Sequence, residues 1–404
     1  MKNQNRRIPK IRFVNFNDKW NYKTLDEISS AIEYGINAPA KNFDGIHKYL
    51  RITDIDDTSR LFLTAKLSSP DVDFTEENYE NYKLQKNDLL FARTGASVGK
   101  TYLYRESDGE VCYAGFLIRA RLHDSYDGNF VFQQTFTDKY KQFIDITSQR
   151  SGQPGVNGKE YGDWKIGITS YSEQSAIGSL FRTLDDLLSN YKENLANYQS
   201  LKATMLSKMF PKAGQTVPEI CLEGFEGEWE EKQFSKLVKR VTKSSDFDSL
   251  PKVEFEDIIS GQGRLNKDIS SKFDNRKGIH FKPGYTLYGK LRPYLNNWLL
   301  PKFEGVALGD FWVFDPNGNN SDFIYYLVQS SRYQKVANDT SGTKMPRSDW
   351  KSVSTTIFAI PQTIAEQQAI GTYFSNLDNL INSHQEKISQ LETLKKKLLQ
   401  DMFI

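Results

Sequence analysis

The chain has 404 residues, 38% of them hydrophobic and 13% aromatic, and a formal net charge of +2, which gives room for two or three domains that each bury a core. Two cysteines, Cys112 and Cys221, and four histidines, His47, His123, His280 and His384, offer neither a disulfide framework nor metal-ligand spacing. No apolar run reaches the roughly 20 residues of a membrane span, and the stretch MKNQNRRIPKIRF lacks a signal peptide's apolar core, so a cytoplasmic protein with no membrane partner and no metal site is expected.

In chain order, the first feature is a basic run, Lys2, Arg6, Arg7, Lys10 and Arg12, that suits either phosphate contact or a frayed tail. Segments rich in β-branched and aromatic residues and bounded by Gly, Asn, Asp or Pro predict strands at Asp88–Ala92, at Val111–Arg119 and, in the second half, at Gly309–Asp315. Thr94-Gly-Ala-Ser-Val-Gly-Lys-Thr101 has three residues between its glycines where a phosphate loop has four, which argues against nucleotide hydrolysis. Phe314-Asp-Pro-Asn-Gly318 lacks the second proline and the aromatic ring of a methyltransferase base-stacking loop and reads as a turn. With no Gly-x-Ser-x-Gly elbow and no paired-histidine motif, no catalytic residues and no cofactor are expected in this chain.

The dominant feature is a repeat. Glu173–Phe210 returns 193 residues later as Glu366–Phe403, with 15 of 38 positions identical, and the segment Ile8–Trp20 recurs more loosely as Val217–Trp229. Each copy is a heptad helix. Ile177, Leu184, Tyr191, Tyr198 and Met205 hold one core position, with Leu180, Leu187 and Leu201 at the other; Ile370, Leu377, His384, Leu391 and Leu398, with Tyr373, Leu380 and Leu394, repeat the frame. Such a helix spans roughly 57 Å, and its natural partner is the other copy. An antiparallel pair would place the pseudo-two-fold axis near Tyr191 and His384, with Asn194 and Lys387 just beyond to fix register. Phe181, Leu188 and Leu195, beside Phe374, Ile381 and Ile388, widen the stripe enough for another protein. Pro211–Pro218 closes the first helix and opens the second unit.

The fold class expected is therefore mixed α/β (α+β), in two copies separated by a pair of long antiparallel coiled-coil helices. The domains would be a globular reader over residues 1–170, a spacer helix over 171–212, a second reader over 213–363 and a second spacer helix over 364–404. Each reader carries a loop of hydrogen-bonding side chains that begins Ser-Gly and leads into Asp-Trp. The first holds Arg150, Ser151, Gln153, Asn157 and Lys159, and the second Thr343, Lys344 and Arg347. Arginine and lysine grip guanine edges or phosphates, and glutamine and asparagine pair with adenine. Arg93, Thr94 and Lys100 in the first unit, and Lys290, Arg292 and Tyr294 in the second, are further candidates. A copied frame with divergent side chains suits the reading of two different sequences.

Pro-Lys-Ile-Arg-Phe followed by Phe16 and Trp20, Lys86-Asn-Asp-Leu-Leu-Phe-Ala-Arg-Thr-Gly, the Ser-Gly to Asp-Trp stretch and Glu-Gln-x-Ala-Ile-Gly opening a heptad helix together resemble the specificity subunit of type I restriction-modification systems. The resemblance runs over essentially the whole chain. It implies two target recognition domains docking the halves of a split site in double-stranded DNA, with the paired helices as a ruler between them. It also implies partners: two modification (methyltransferase) subunits using S-adenosylmethionine on an adenine in each half-site, and restriction (motor nuclease) subunits using ATP and Mg. The other class of reading is a coiled-coil adaptor without sequence-specific DNA binding.

Overall fold

The computed structural model describes residues 7–73, 79–150, 152–245, 247, 249–270, 275–339 and 345–404. The chain divides into two compact units, Met1–Lys192 with Glu386–Ile404, and Glu193–Gln385. The divisions fall inside the long helices, so each helix contributes one part to each unit.

In the first unit Ser29–Tyr34, Leu117–Leu122, Asp88–Ala92 and Thr101–Leu103 form an antiparallel sheet in that order. The second unit copies it with Lys239–Val241, Phe311–Asp315, Thr286–Gly289 and Trp298–Leu299. Both units add a parallel pair, Lys48–Leu50 with Val111–Tyr113 and Lys252–Val253 with Gly305–Ala307. All five residues of Asp88–Ala92 are buried because the sheet is covered on both faces. Leu89 and Phe91 enter one core with Trp20, Phe130 and Phe181, and Leu90 and Ala92 enter another with Leu50, Tyr102 and Tyr113. This alternation is the two-residue period of a strand. The run Val111–Arg119 is not one strand, since it breaks at Ala114–Phe116, where the Leu117 amide closes a turn onto the Ala114 carbonyl at 2.8 Å.

The long helices are Tyr171–Lys208 and Ile364–Asp401, 38 residues each. Their shared opening motif has a mechanical explanation. The glutamate binds an indole: Glu173 accepts from Trp20 Nε1 at 3.2 Å and Glu366 from Trp229 Nε1 at 2.8 Å. The glutamine clamps the turn before a short helix, Gln174 accepting from the Asp127 amide and Gln367 from the Asn320 amide, at 3.1 and 2.9 Å. Asp127 and Asn320 are the N-caps of Gly128–Gln134 and Ser321–Leu327.

The glycine lets these pieces meet. A Cβ at Gly178 would lie 2.4 Å from Asp127 Oδ1, and one at Gly371 2.8 Å from Asp322 Cβ and 2.9 Å from Asn320 Oδ1. Helix propensity alone favours alanine by about 1 kcal/mol, whereas forcing a methyl into a filled site costs about 1–3 kcal/mol. Gly178→Ala is therefore expected to destabilise the first unit in denaturant unfolding, and a gain in stability would mean the close approach is not tight.

Within each unit the two helices run antiparallel. Asp185 pairs with Lys395 at 2.5 Å and Lys192 with Glu392 at 2.7 Å in the first. In the second, Lys202 pairs with Asp378 at 2.6 Å, and the Tyr198 and His384 rings lie 5.2 Å apart. The buried stripe is Ile177, Phe181, Leu184 and Leu188 on one helix, and Ile370, Phe374, Leu377 and Ile381 on the other. Leu180, Tyr373 and Leu391 pack at the margins of these cores. The heptad frame assigns Leu187, Leu201, Leu380 and Leu394 to the seam, but they are 37–44% exposed. The short helices and chain ends draw the Phe181 and Phe374 faces inward and rotate these leucines out.

The far end of each helix completes a core. Met402, Phe403 and Ile404 are buried with Trp20, Phe130 and Phe181 in the first unit, and Met209 and Phe210 with Trp229, Phe323 and Phe374 in the second. The described part of the N-terminal basic run is docked, with Lys10 on Asp401 at 2.9 Å and Arg12 on Glu173 at 2.5 Å. No helix among the described residues is long and apolar enough to cross a membrane.

Candidate nucleic-acid interface

Two segments about 60 residues apart in the first unit meet through backbone pairing. Thr94 and Gly155 form an antiparallel bridge. The Gly95 amide donates to the Pro154 carbonyl at 3.0 Å, the Val156 amide to the Arg93 carbonyl at 2.9 Å, and the Arg93 amide to the Phe116 carbonyl at 3.1 Å. The second unit repeats every contact. Leu291 bridges Arg347, and the Arg292 amide donates to Pro346 at 2.7 Å, Ser348 to Lys290 at 2.8 Å, and Lys290 to Asp310 at 2.9 Å. Gly95 and Arg292 hold the same left-handed position, φ 76° and 48°. That conformation is strained for arginine and free for glycine.

The junction aligns the units residue by residue: Arg93 with Lys290, Gly95 with Arg292, Phe116 with Asp310, Gly155 with Arg347, and Asn157 with Asp349. Asn157 and Asp349 are both N-caps, of Gly158–Gly162 and Trp350–Thr355. The two Asp-Trp pairs that match in sequence therefore do not match in space. Asp163-Trp164 follows its helix, and Asp349-Trp350 begins one.

Buried tyrosines preset the first loop. Tyr161 donates to the Ala92 carbonyl at 2.7 Å and accepts from the Gly99 amide at 3.2 Å, and Tyr140 donates to the Gly99 carbonyl at 3.0 Å. Burial pushes both phenols well above their ordinary range, so both remain neutral donors. A loop fixed this way loses little entropy when it meets a ligand.

The side chains on the frame differ. Arg93 lies beside two aromatic rings, its guanidinium carbon 5.2 Å from the Tyr34 centroid and 5.5 Å from that of Phe116. Both rings are exposed, 43% and 57%, and the Tyr34 hydroxyl accepts from the Gly158 amide at 3.0 Å. Gln153 is exposed, its Nε2 2.9 Å from a Cβ built at Gly95. Arg150 pairs with Glu160 at 2.5 Å and donates to the Thr147 and Gln149 carbonyls. Lys159 is exposed and Thr94 half-buried. Lys100 is buried and faces inward, its ammonium donating to the Ile52 and Ile55 carbonyls and pairing with Asp57 at 2.5 Å.

In the second unit Lys290 and Arg347 converge on Asp310, at 3.5 and 3.0 Å. Partial burial pushes that carboxyl up, but Arg347 and Lys290 outweigh it and hold it below its ordinary value. Arg292 is exposed, and so is Tyr294, at 58%. Arg240 stacks 4.4 Å from the Trp350 centroid, where desolvation lowers its pKa. Ser151, Thr343 and Lys344 lie outside the described residues. Tyr34, Phe116, Asp310 and Arg240 escape a reading by sequence, because each is a single residue on a strand or turn and gains meaning only from its neighbour across the sheet.

Residues 229–393 match the model of the family described as type I restriction modification DNA specificity domain. Two proteins of Methanocaldococcus jannaschii are similar to the chain. The type I restriction enzyme MjaVIII specificity subunit is 20% identical over 342 residues, 78% of each chain, and the putative type I restriction enzyme MjaX specificity subunit is 22% identical over 414 residues, 95% of this chain and 92% of the relative. The fold matches the crystal structure of the type I restriction-modification system S subunit from M. genitalium with a TM-score of 0.66 and 15% identity, over 98% of this chain and 99% of that one. The duplicated unit, the family model over its second copy and relatives that run most of the chain's length agree: the second unit carries a type I restriction modification DNA specificity domain, and the whole chain is similar to specificity subunits of type I restriction-modification systems.

Proposed function

We propose that each unit reads one half of a split site in double-stranded DNA through its loop junction, and that the paired helices set the distance between the halves. As a specificity subunit the chain is the non-catalytic, sequence-reading component of its system. The observation that carries the finer reading is the junction itself, one backbone frame built twice from the same hydrogen bonds. Sequence-specific readers keep the frame and change the side chains, as Arg93 and Lys290 or Phe116 and Asp310 differ. Methylation of an adenine in each half-site would come from two modification subunits bearing S-adenosylmethionine, and cleavage from restriction subunits using ATP and Mg, all in the cytoplasm. The stoichiometry has support in the exposed leucines. The register puts Leu187 level with Leu394 and Leu201 level with Leu380, one apolar pair per unit, which suits two copies of one partner.

Removing one heptad from both helices, residues 191–197 and 384–390, tests the ruler. The deletion shortens the pair by about 10 Å, close to three base pairs at roughly 3.4 Å each. The preferred spacing in a DNA selection should shrink by about that amount with both half-site sequences unchanged. Unchanged spacing would refute the ruler. Affinity should also fall steeply with salt, as phosphate contacts require; a salt-independent affinity would favour an adaptor.

A further inference from the structure

We infer that Arg93 reads a guanine in the half-site of the first unit, and that Phe116 is the positioning residue that leaves its guanidinium free to do so. The inference rests on the proposed two-half reading and adds the base and the residue. Arg93 Nε is buried without a hydrogen-bond partner. The rings of Tyr34 and Phe116 have their centroids 5.2 and 5.5 Å from the guanidinium carbon, within cation–π range. A cation–π contact engages a guanidinium without consuming its N–H donors, which leaves the two Nη groups to pair with a ligand. Two parallel donors in a fixed plane match the O6 and N7 acceptors that guanine presents in the major groove.

The second unit supplies an internal comparison. Where the first has Phe116, it has Asp310, and there the equivalent cation, Lys290, lies 3.5 Å from a carboxylate that Arg347 also holds. The frame is the same, yet the cation there shares a carboxylate with Arg347 and has no rigid fork. A residue gripping phosphate would need neither the fork nor the stack, since lysine serves as a point charge. The arrangement in the first unit therefore favours a base edge over the backbone.

The test uses the full chain in complex with its modification subunits, with DNA motifs selected from a randomised duplex pool. Arg93→Lys, which keeps the charge, should abolish a guanine preference at one position of one half-site, a loss of about tenfold or more in discrimination. Phe116→Asp, which installs the second unit's carboxylate, should erase the same preference. The remaining positions of the same half-site should be unchanged and thereby report folding of the first unit, and the other half-site should be unchanged as well. A uniform loss of affinity with no position affected, or an intact guanine preference in Arg93→Lys, would overturn the inference while leaving the two-half reading standing. Failure of the unaltered complex to select two motifs would overturn both.

Discussion

Replacing Phe403 by alanine is expected to destabilise the first unit by about 3–5 kcal/mol, the usual cost of removing a large aromatic side chain from a core. Phe403 follows the end of the second long helix by two residues. Here it is 9% exposed and its ring lies 5.5 Å from Phe130, 5.6 Å from Phe181 and 6.2 Å from Trp20. The backbone behind it is fixed too, because the Lys10 and Ile11 amides both donate to the Asp401 carbonyl, at 2.8 and 3.0 Å. The ring comes from the end of the second helix, so its loss leaves a cavity that no neighbour in sequence can collapse to fill. The counterpart Phe210→Ala should act equally on the second unit, where that ring stacks 6.0 Å from Phe374 and lies 5.7 Å from Phe323. Urea unfolding with hydrogen exchange read separately for each unit checks both variants. A loss below about 1 kcal/mol would mean that the chain ends are ornaments on cores that close without them.

Arg12→Met should cost about 3–5 kcal/mol for a different reason, the exposure of a buried carboxylate to a loss of its counter-charge. Glu173 has a fully buried side chain and receives Arg12 Nε at 2.5 Å and Nη2 at 2.6 Å. Without the guanidinium, the hydrogen bonds from Trp20 and Thr169 remain, but they do not replace a full positive charge. Adding Glu173→Gln to Arg12→Met should recover much of the loss, since a neutral amide can keep the Trp20 contact. The second unit explains why the pair exists. Its equivalent of Arg12 is Cys221, and there Glu366 is half-exposed and needs no counter-ion. Thermal melting of the single and double variants decides the point, and an additive double variant would show that the pair is not coupled.

Much of this architecture is legible in the sequence because it is written in periods. The heptads of Glu173–Phe210 and Glu366–Phe403 mark the helices seen at Tyr171–Lys208 and Ile364–Asp401, and the duplication marks the twin sheets. What a period cannot carry is the choice among neighbouring stripes. Phe181 and Leu188 are buried and Leu187 is not, because the short helices and chain ends draw one stripe inward. The loop junction is illegible for a related reason, since Arg93 meets Val156 only after the sheet has folded. Composition also hides the division of labour among polar residues. Asn157, Lys100 and Arg93 look alike as candidates, yet Asn157 caps a helix, Lys100 faces buried carbonyls and Arg93 lies beside exposed rings.

The measurement that bears most directly on the central claim is the DNA motif that the intact complex of this chain with its modification subunits selects and methylates. Two short sequences at one fixed spacing, each altered separately by substitutions in one unit's loop junction, are the predicted outcome. One uninterrupted motif, or one that changes in both halves when a single unit is altered, would contradict the account.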